Sequence, residues 1–133
     1  MPKRYPYGDA ARLAGEVFGK ILDRQADRDG YEYVLDCLES GKKSVQQIVL
    51  EFIASDEFID KFVAADNAGH TANLVNRLLL GRPLNTDAEI QKAKRQFIRL
   101  GLRQYAEQIA YSPEYMRSVG TDTVPGSGHR AGH

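Results

Sequence analysis

Residues 111–128, YSPEYMRSVGTDTVPGSG, contain a Ser-x-Glu-aromatic unit, Ser112 to Tyr115, that repeats the form of SDEF at residues 55–58. In each unit the serine precedes a helix-forming run, where its hydroxyl can accept a backbone N–H of the first turn. The glutamate falls in that first turn, which the helix dipole favours for an anion. The aromatic residue then comes to the inner side of the new helix. The unit is a helix start, written twice, and capping and packing are its primary role. Direct contact with a partner is the second reading.

Working outward, the two halves lie on one another. VFGKILDR (17–24) matches VNRLLLGR (75–82) at an offset of 58. Asp29-x-x-Glu32 matches Thr86-x-x-Glu89, and Val45, Ile48 and Phe52 match Leu102, Tyr105 and Ile109, both at 57. An apolar pattern that recurs together with its caps points to two similar multi-helix units packed around one core.

The rest of the chain supports an all-α single domain. Leu13, Val17, Phe18, Ile21 and Leu22 recur at helical spacing, and Asp9 can cap that helix. Tyr31, Val34, Leu35 and Leu38 form the next stripe, which Gly41 can end in a left-handed conformation. Ser44-x-x-Gln47 is a capping box ahead of Val45, Ile48, Val49 and Phe52. TANLVNRLLLGRP (71–83) brings another helix, stopped by Pro83 and Asn85. Thr86-x-x-Glu89 opens a helix expected to bury Ile90, Ala93, Phe97, Ile98 and Leu100. Gly101 breaks it, and no segment alternates with the period of a strand. The expected boundaries are a flexible N-terminus at 1–8, the helical domain at 9–125, and a disordered tail or cloning remnant at 126–133.

Charge is balanced, with 18 Lys and Arg against 18 Asp and Glu, but unevenly spread. Residues 1–66 hold 9 basic and 13 acidic side chains, and residues 67–133 hold 9 and 5, so the chain is dipolar. That is too little positive charge to indicate nucleic acid. MPKRYPYGD at the start has no apolar signal core, which points to the cytosol. No apolar run approaches the roughly 20 residues of a membrane helix.

Candidate chemistry is sparse. Asp23, Asp27, Asp29 and Glu32 suggest a calcium loop, but Gln25 and Asp36 would occupy two of its ligand positions, and a cap at Asp29 is the simpler reading. His70 sits in a polar linker, and His129 and His133 lie in the tail, so neither a zinc pair nor a catalytic triad is indicated. The lone Cys37 reads as a small buried hydrophobe. The chain is therefore expected to be non-enzymatic, with no metal and no cofactor. The feature that stands out is basic: Arg77, Arg82, Lys92, Arg95, Arg99 and Arg103, accompanied by Lys94. Lys92, Arg95 and Arg99 share one helix face, either a solvated surface or a docking face for an acidic protein.

LLLGRPLNTDAEI (78–90), EFIASDEFIDKF (51–62) and AYSPEYMRSVGTDTVP (110–125) resemble the phycobilisome linker domain. The resemblance rests on Leu80-Gly81-Arg82-Pro83, Ala88-Glu89-Ile90, Ser112-Pro113-Glu114-Tyr115, Val119-Gly120 and Val124-Pro125, and it spans residues 10–125. It implies an all-helical, non-enzymatic scaffold that sits within phycobiliprotein discs, phycocyanin or allophycocyanin, stacks them, and tunes energy transfer. It also implies that the chain carries no pigment, meets acidic partners through its basic residues, and resides at the cytosolic face of the thylakoid membrane. Self-association is a further expectation. The first half also resembles a helical domain of bacterial secreted and surface proteins, through Leu22, Arg24, Asp27, Gly30, Tyr31, Ser55, Glu57 and Phe58. That kinship implies, as the alternative, a protein-interaction or assembly module.

Overall fold

The computed structural model describes residues 2–63 and 66–126. Among them the chain forms seven α-helices and no strand: α1 Tyr7–Val17, α2 Arg28–Ser40, α3 Val45–Ile53, α4 Asp56–Phe62, α5 Ala68–Leu80, α6 Asp87–Ala110 and α7 Pro113–Ser118. α1 runs on into one wide π-helical turn, Phe18–Leu22, closed where Asp23 adopts the left-handed conformation and donates its N–H to the Phe18 carbonyl. The chain is thus all-α. Of the expected tail, residues 127–133, His129 and His133 included, lie outside the described residues.

Local chemistry accounts for most boundaries. Ser44 and Gln47 exchange both bonds of a capping box at α3. Ser55 and Ser112 each accept the N–H three residues on, Phe58 N and Tyr115 N, both at 3.2 Å. Each of these hydroxyls also donates back to the helix before it, to the Phe52 and Ile109 carbonyls, at 2.6 Å. Phe58 and Tyr115 are fully buried. A side chain of that size taken out of water contributes roughly 1.5–3 kcal/mol, so each cap anchors the residue that holds its helix down.

Several boundaries differ from expectation. α1 begins at Tyr7, not after Asp9, because Pro6 presets the entry and its carbonyl accepts Ala10 N at 2.9 Å. Asp9 sits in the first turn instead. The segment ahead of it is packed: Tyr5 is buried, its N–H donates to the Leu38 carbonyl at 3.0 Å, and its hydroxyl donates to Asp122 at 2.8 Å. The cap of α2 is Asp27, which accepts Gly30 N, and Asp29 lies in the first turn. α5 ends at Gly81, whose φ of 74° needs no proline to stop the helix. Thr86 caps α6, but the Glu89 carboxylate accepts from Asn85 N rather than from Thr86 N.

Two helical pairs form the body, α1 on α2 and α5 on α6, and α3 joins them by packing on the π turn and on α6. α6 is bent at Gly101 (φ 81°, ψ 168°), which separates residues 87–100 from residues 102–110. Ahead of the bend, Ala93, Phe97 and Leu100 face the core. Ile98, expected beside them, is 65% exposed, because it stands off the 93–97–100 stripe. Gln46, buried on α3, donates to the Ala110 carbonyl at 2.7 Å and ties α3 to the end of α6. Val119, Val124 and Pro125 are buried, so the chain leaves α7 through the core. Cys37 is buried, as expected of a small hydrophobe.

Candidate docking surface

The six basic residues singled out by the sequence do not form one patch. Lys92, Arg95 and Arg99 share a face of α6 and, with Gln96, line a shallow depression. All three are exposed, and no ion pair engages them among the described residues. Exposed Ile98 lies on the same half of the helix, next to Arg99. An uncommitted set of cations beside an exposed aliphatic side chain can meet an acidic surface without first breaking bonds within the chain.

The other three are placed differently. Arg77 is exposed on α5. Arg103 is paired with Glu107 one turn on, at 3.2 Å. Arg82 forms a two-bond pair with Glu114, Nε to Oε2 at 2.8 Å and Nη2 to Oε1 at 2.7 Å. That hydrogen-bonded partner holds the Glu114 carboxyl below its ordinary range and raises the guanidinium.

Arg82–Glu114 has a counterpart in the first half. Arg24 grips Glu57 with the same atoms, at 2.6 and 2.8 Å, and Lys61 adds a third contact at 3.0 Å. The hydrogen bonds from Arg24 and then Lys61 hold the Glu57 carboxyl down to about 2. These clamps tie the end of the first helix of each half to the start of its last. Sequence reading assigned Glu57 and Glu114 to helix dipoles and did not pair them. The recurrence of an arginine and a glutamate at offsets of 58 and 57 was the available signal.

A groove of about 440 Å³ opens beside Arg82, floored by Asn76, Ala93, Tyr105 and Ile109, with Lys92 and Gln96 on its rim. Buried Asn76 donates to the Ala72 carbonyl at 2.8 Å and to the Tyr105 hydroxyl. A larger groove of about 730 Å³ runs between α3 and the end of α6, where Lys42, Lys43 and Arg103 are engaged by Asp36, Glu51 and Glu107.

The candidate calcium loop is used otherwise. The Asp27 carboxylate accepts Gly30 N and Arg24, which lowers its pKa. Among the described residues no group of three or more His, Cys, Asp or Glu side chains is placed to hold a metal ion. No helix among them is long and apolar enough to cross a membrane.

A model of the phycobilisome linker polypeptide family matches residues 9–127, and so spans both halves and every helix from α2 to α7. The chain is 32% identical over 113 residues to the phycobiliprotein ApcE of Microchaete diplosiphon, covering 82% of this chain and 10% of that protein. It is 34% identical over 88 residues to the phycobiliprotein ApcE of Nostoc sp. (strain PCC 7120 / SAG 25.82 / UTEX 2576), covering 66% of this chain and 8% of that one. The chain thus spans a tenth or less of the length of these relatives. The match covers the first half, whose likeness to a surface-protein module had pointed elsewhere. With its all-helical body and twice-written Ser-x-Glu-aromatic caps, the chain belongs to the phycobilisome linker polypeptide family.

Proposed function

We propose that this chain is a non-catalytic linker domain that binds and organises phycobiliprotein discs in the phycobilisome, at the thylakoid membrane, and tunes energy transfer among their pigments. The family match over residues 9–127 carries the proposal, because it takes in nearly the whole described body. The unpaired Lys92, Arg95 and Arg99 supply a surface for an acidic partner. Arg77, Arg82 and Arg103 are proposed as further contacts, Arg82 and Arg103 through pairs that a partner carboxylate could share. Cys37, 2% exposed, offers no accessible thiol for covalent attachment of a pigment. Domain boundaries at 9 and 125 serve as working limits for this unit.

The test is co-sedimentation of the chain with purified phycocyanin and allophycocyanin trimers, with emission spectra recorded on the complex. Co-migration with a shifted emission maximum is expected, and the disc that responds identifies the partner. A folded chain that sediments with neither disc at low or moderate salt overturns the proposal.

A further inference from the structure

The offsets that relate the two halves, 58 and 57, place Asn76 where the first half has Phe18, and Ile109 where it has Phe52. In the first half these positions are filled by aromatic rings. Phe18 and Phe52 meet edge to face with centroids 4.8 Å apart. The Arg24 guanidinium lies 4.9 Å from the centre of the Phe18 ring. The ring presses so closely on α2 that a Cβ at Gly30 would stand 2.6 Å from its tip.

The second half keeps the frame and lacks the rings. Arg82 is held by Glu114 as Arg24 is held by Glu57. Gly81 takes the left-handed conformation that Asp23 takes before Arg24. Among the described residues no aromatic ring lies under Arg82. The short Asn76 and Ile109 leave in that place the groove of about 440 Å³, a size within the range of small-ligand pockets. Its rim carries Arg82 and Lys92, and Lys92 and Gln96 also border the face made with Arg95 and Arg99, so the groove opens onto the uncommitted basic surface. The acids that line it are already engaged, Glu114 by Arg82 and Glu89 by Asn85 N.

We infer that this groove is a receptor for one aromatic side chain presented by the acidic surface of a phycobiliprotein disc, its ring entering beside Arg82 as Phe18 lies beside Arg24. The inference rests on the docking function proposed above and names what that surface grips. A guanidinium held by a carboxylate beside a groove lined in part by Leu80, Leu84, Ala93, Ile109 and Pro113 favours a ring through cation–π attraction and burial. The flanking Lys92, Arg95 and Arg99 favour carboxylates around that ring.

Two measurements test it. In the first, N-acetylphenylalaninamide is titrated into the isotope-labelled chain. Saturable shifts are expected at the Asn76 side-chain amide and the Ala93 methyl, and the shift at the Ala93 methyl, a probe present in every variant, should vanish in Asn76→Phe and Ile109→Phe, each of which rebuilds one ring of the first half. Absence of such shifts in the unmodified chain overturns the receptor. In the second, both variants are sedimented with the disc that binds the unmodified chain, after circular dichroism shows them folded. Binding at least tenfold weaker is expected for each variant. Equal binding by a folded variant overturns the inference while the docking function stands. Failure of the unmodified chain to bind any disc overturns the docking function itself, and with it the disc as the source of the ring.

Discussion

Tyr115 and Phe58 occupy corresponding places and differ by one oxygen. Both rings are fully buried behind a serine cap, but the Tyr115 hydroxyl has no hydrogen-bond partner among the described residues, and burial pushes its phenol well above the ordinary range. An unpaired buried hydroxyl costs about 1–3 kcal/mol. Tyr115→Phe is therefore expected to raise the unfolding free energy by about 1 kcal/mol in urea titrations. A loss of stability would show that the hydroxyl has a partner in solution. Glu57 works in the opposite sense. Its carboxyl titrates near 2 in the folded chain, below the ordinary 4.5. A depressed acid stabilises the fold fully above its unfolded value, and that share is lost as pH falls from about 4.5 towards 2. The clamp is partly exposed, so Glu57→Gln should cost only about 1 kcal/mol at pH 7. The gap between variant and unmodified chain should narrow from about pH 4.5 and close as pH falls through about 2. A gap independent of pH would mean that packing, and not charge, is what the substitution removes.

At the scale of the element, Gly101 decides whether both arms of α6 can reach the core. Its φ of 81° and ψ of 168° fall in a region that only glycine occupies readily. On the two sides of the bend Ala93 and Phe97, then Tyr105 and Ile109, reach the same core, and Tyr105 also accepts from Asn76 of α5. A Cβ at Gly101 would meet nothing within 4 Å, so Gly101→Ala tests the backbone alone. It should lose about 1–3 kcal/mol, measured by thermal or urea unfolding, and unchanged stability would mean that a straight α6 packs equally well. This break was legible in the sequence, as were the caps at Ser44, Ser55 and Ser112, because a cap is a bargain between residues three apart. The start of α1 was not legible, since Pro6 caps without a side-chain bond. Ile98 was misplaced because period alone does not say which edge of an apolar stripe meets a neighbour. The clamps were hidden for another reason: their partners are 33 and 32 residues apart, and only the folded chain brings them together. Of the candidate site, the face made by Lys92, Arg95 and Arg99 could be drawn from helical spacing. The groove beside it could not, because its floor comes from α5 and both arms of α6.

At the scale of the molecule, the last segment is fastened to the first by Tyr5 to Asp122 and to α3 by Gln46 N to the Thr121 carbonyl at 3.1 Å. The basic face lies outside these ties. Arg95 and Arg99 are exposed and unpaired, so reversing their charge should leave unfolding within about 0.5 kcal/mol of the original. Arg95→Glu with Arg99→Glu is expected to weaken disc binding at least tenfold, about 1.4 kcal/mol. Salt supplies the discriminating readout. Attraction between an exposed basic face and an acidic disc is screened over about 10 Å at 0.1 M ionic strength, so binding of the unmodified chain should fall as salt rises. The reversed chain should show a flatter or inverted dependence, because its new carboxylates are repelled most when screening is least. Unchanged affinity together with an unchanged salt slope would show that Lys92, Arg95 and Arg99 are merely solvated. Lost affinity with the original slope would place the damage in contacts made by the arginine stems rather than in their charge.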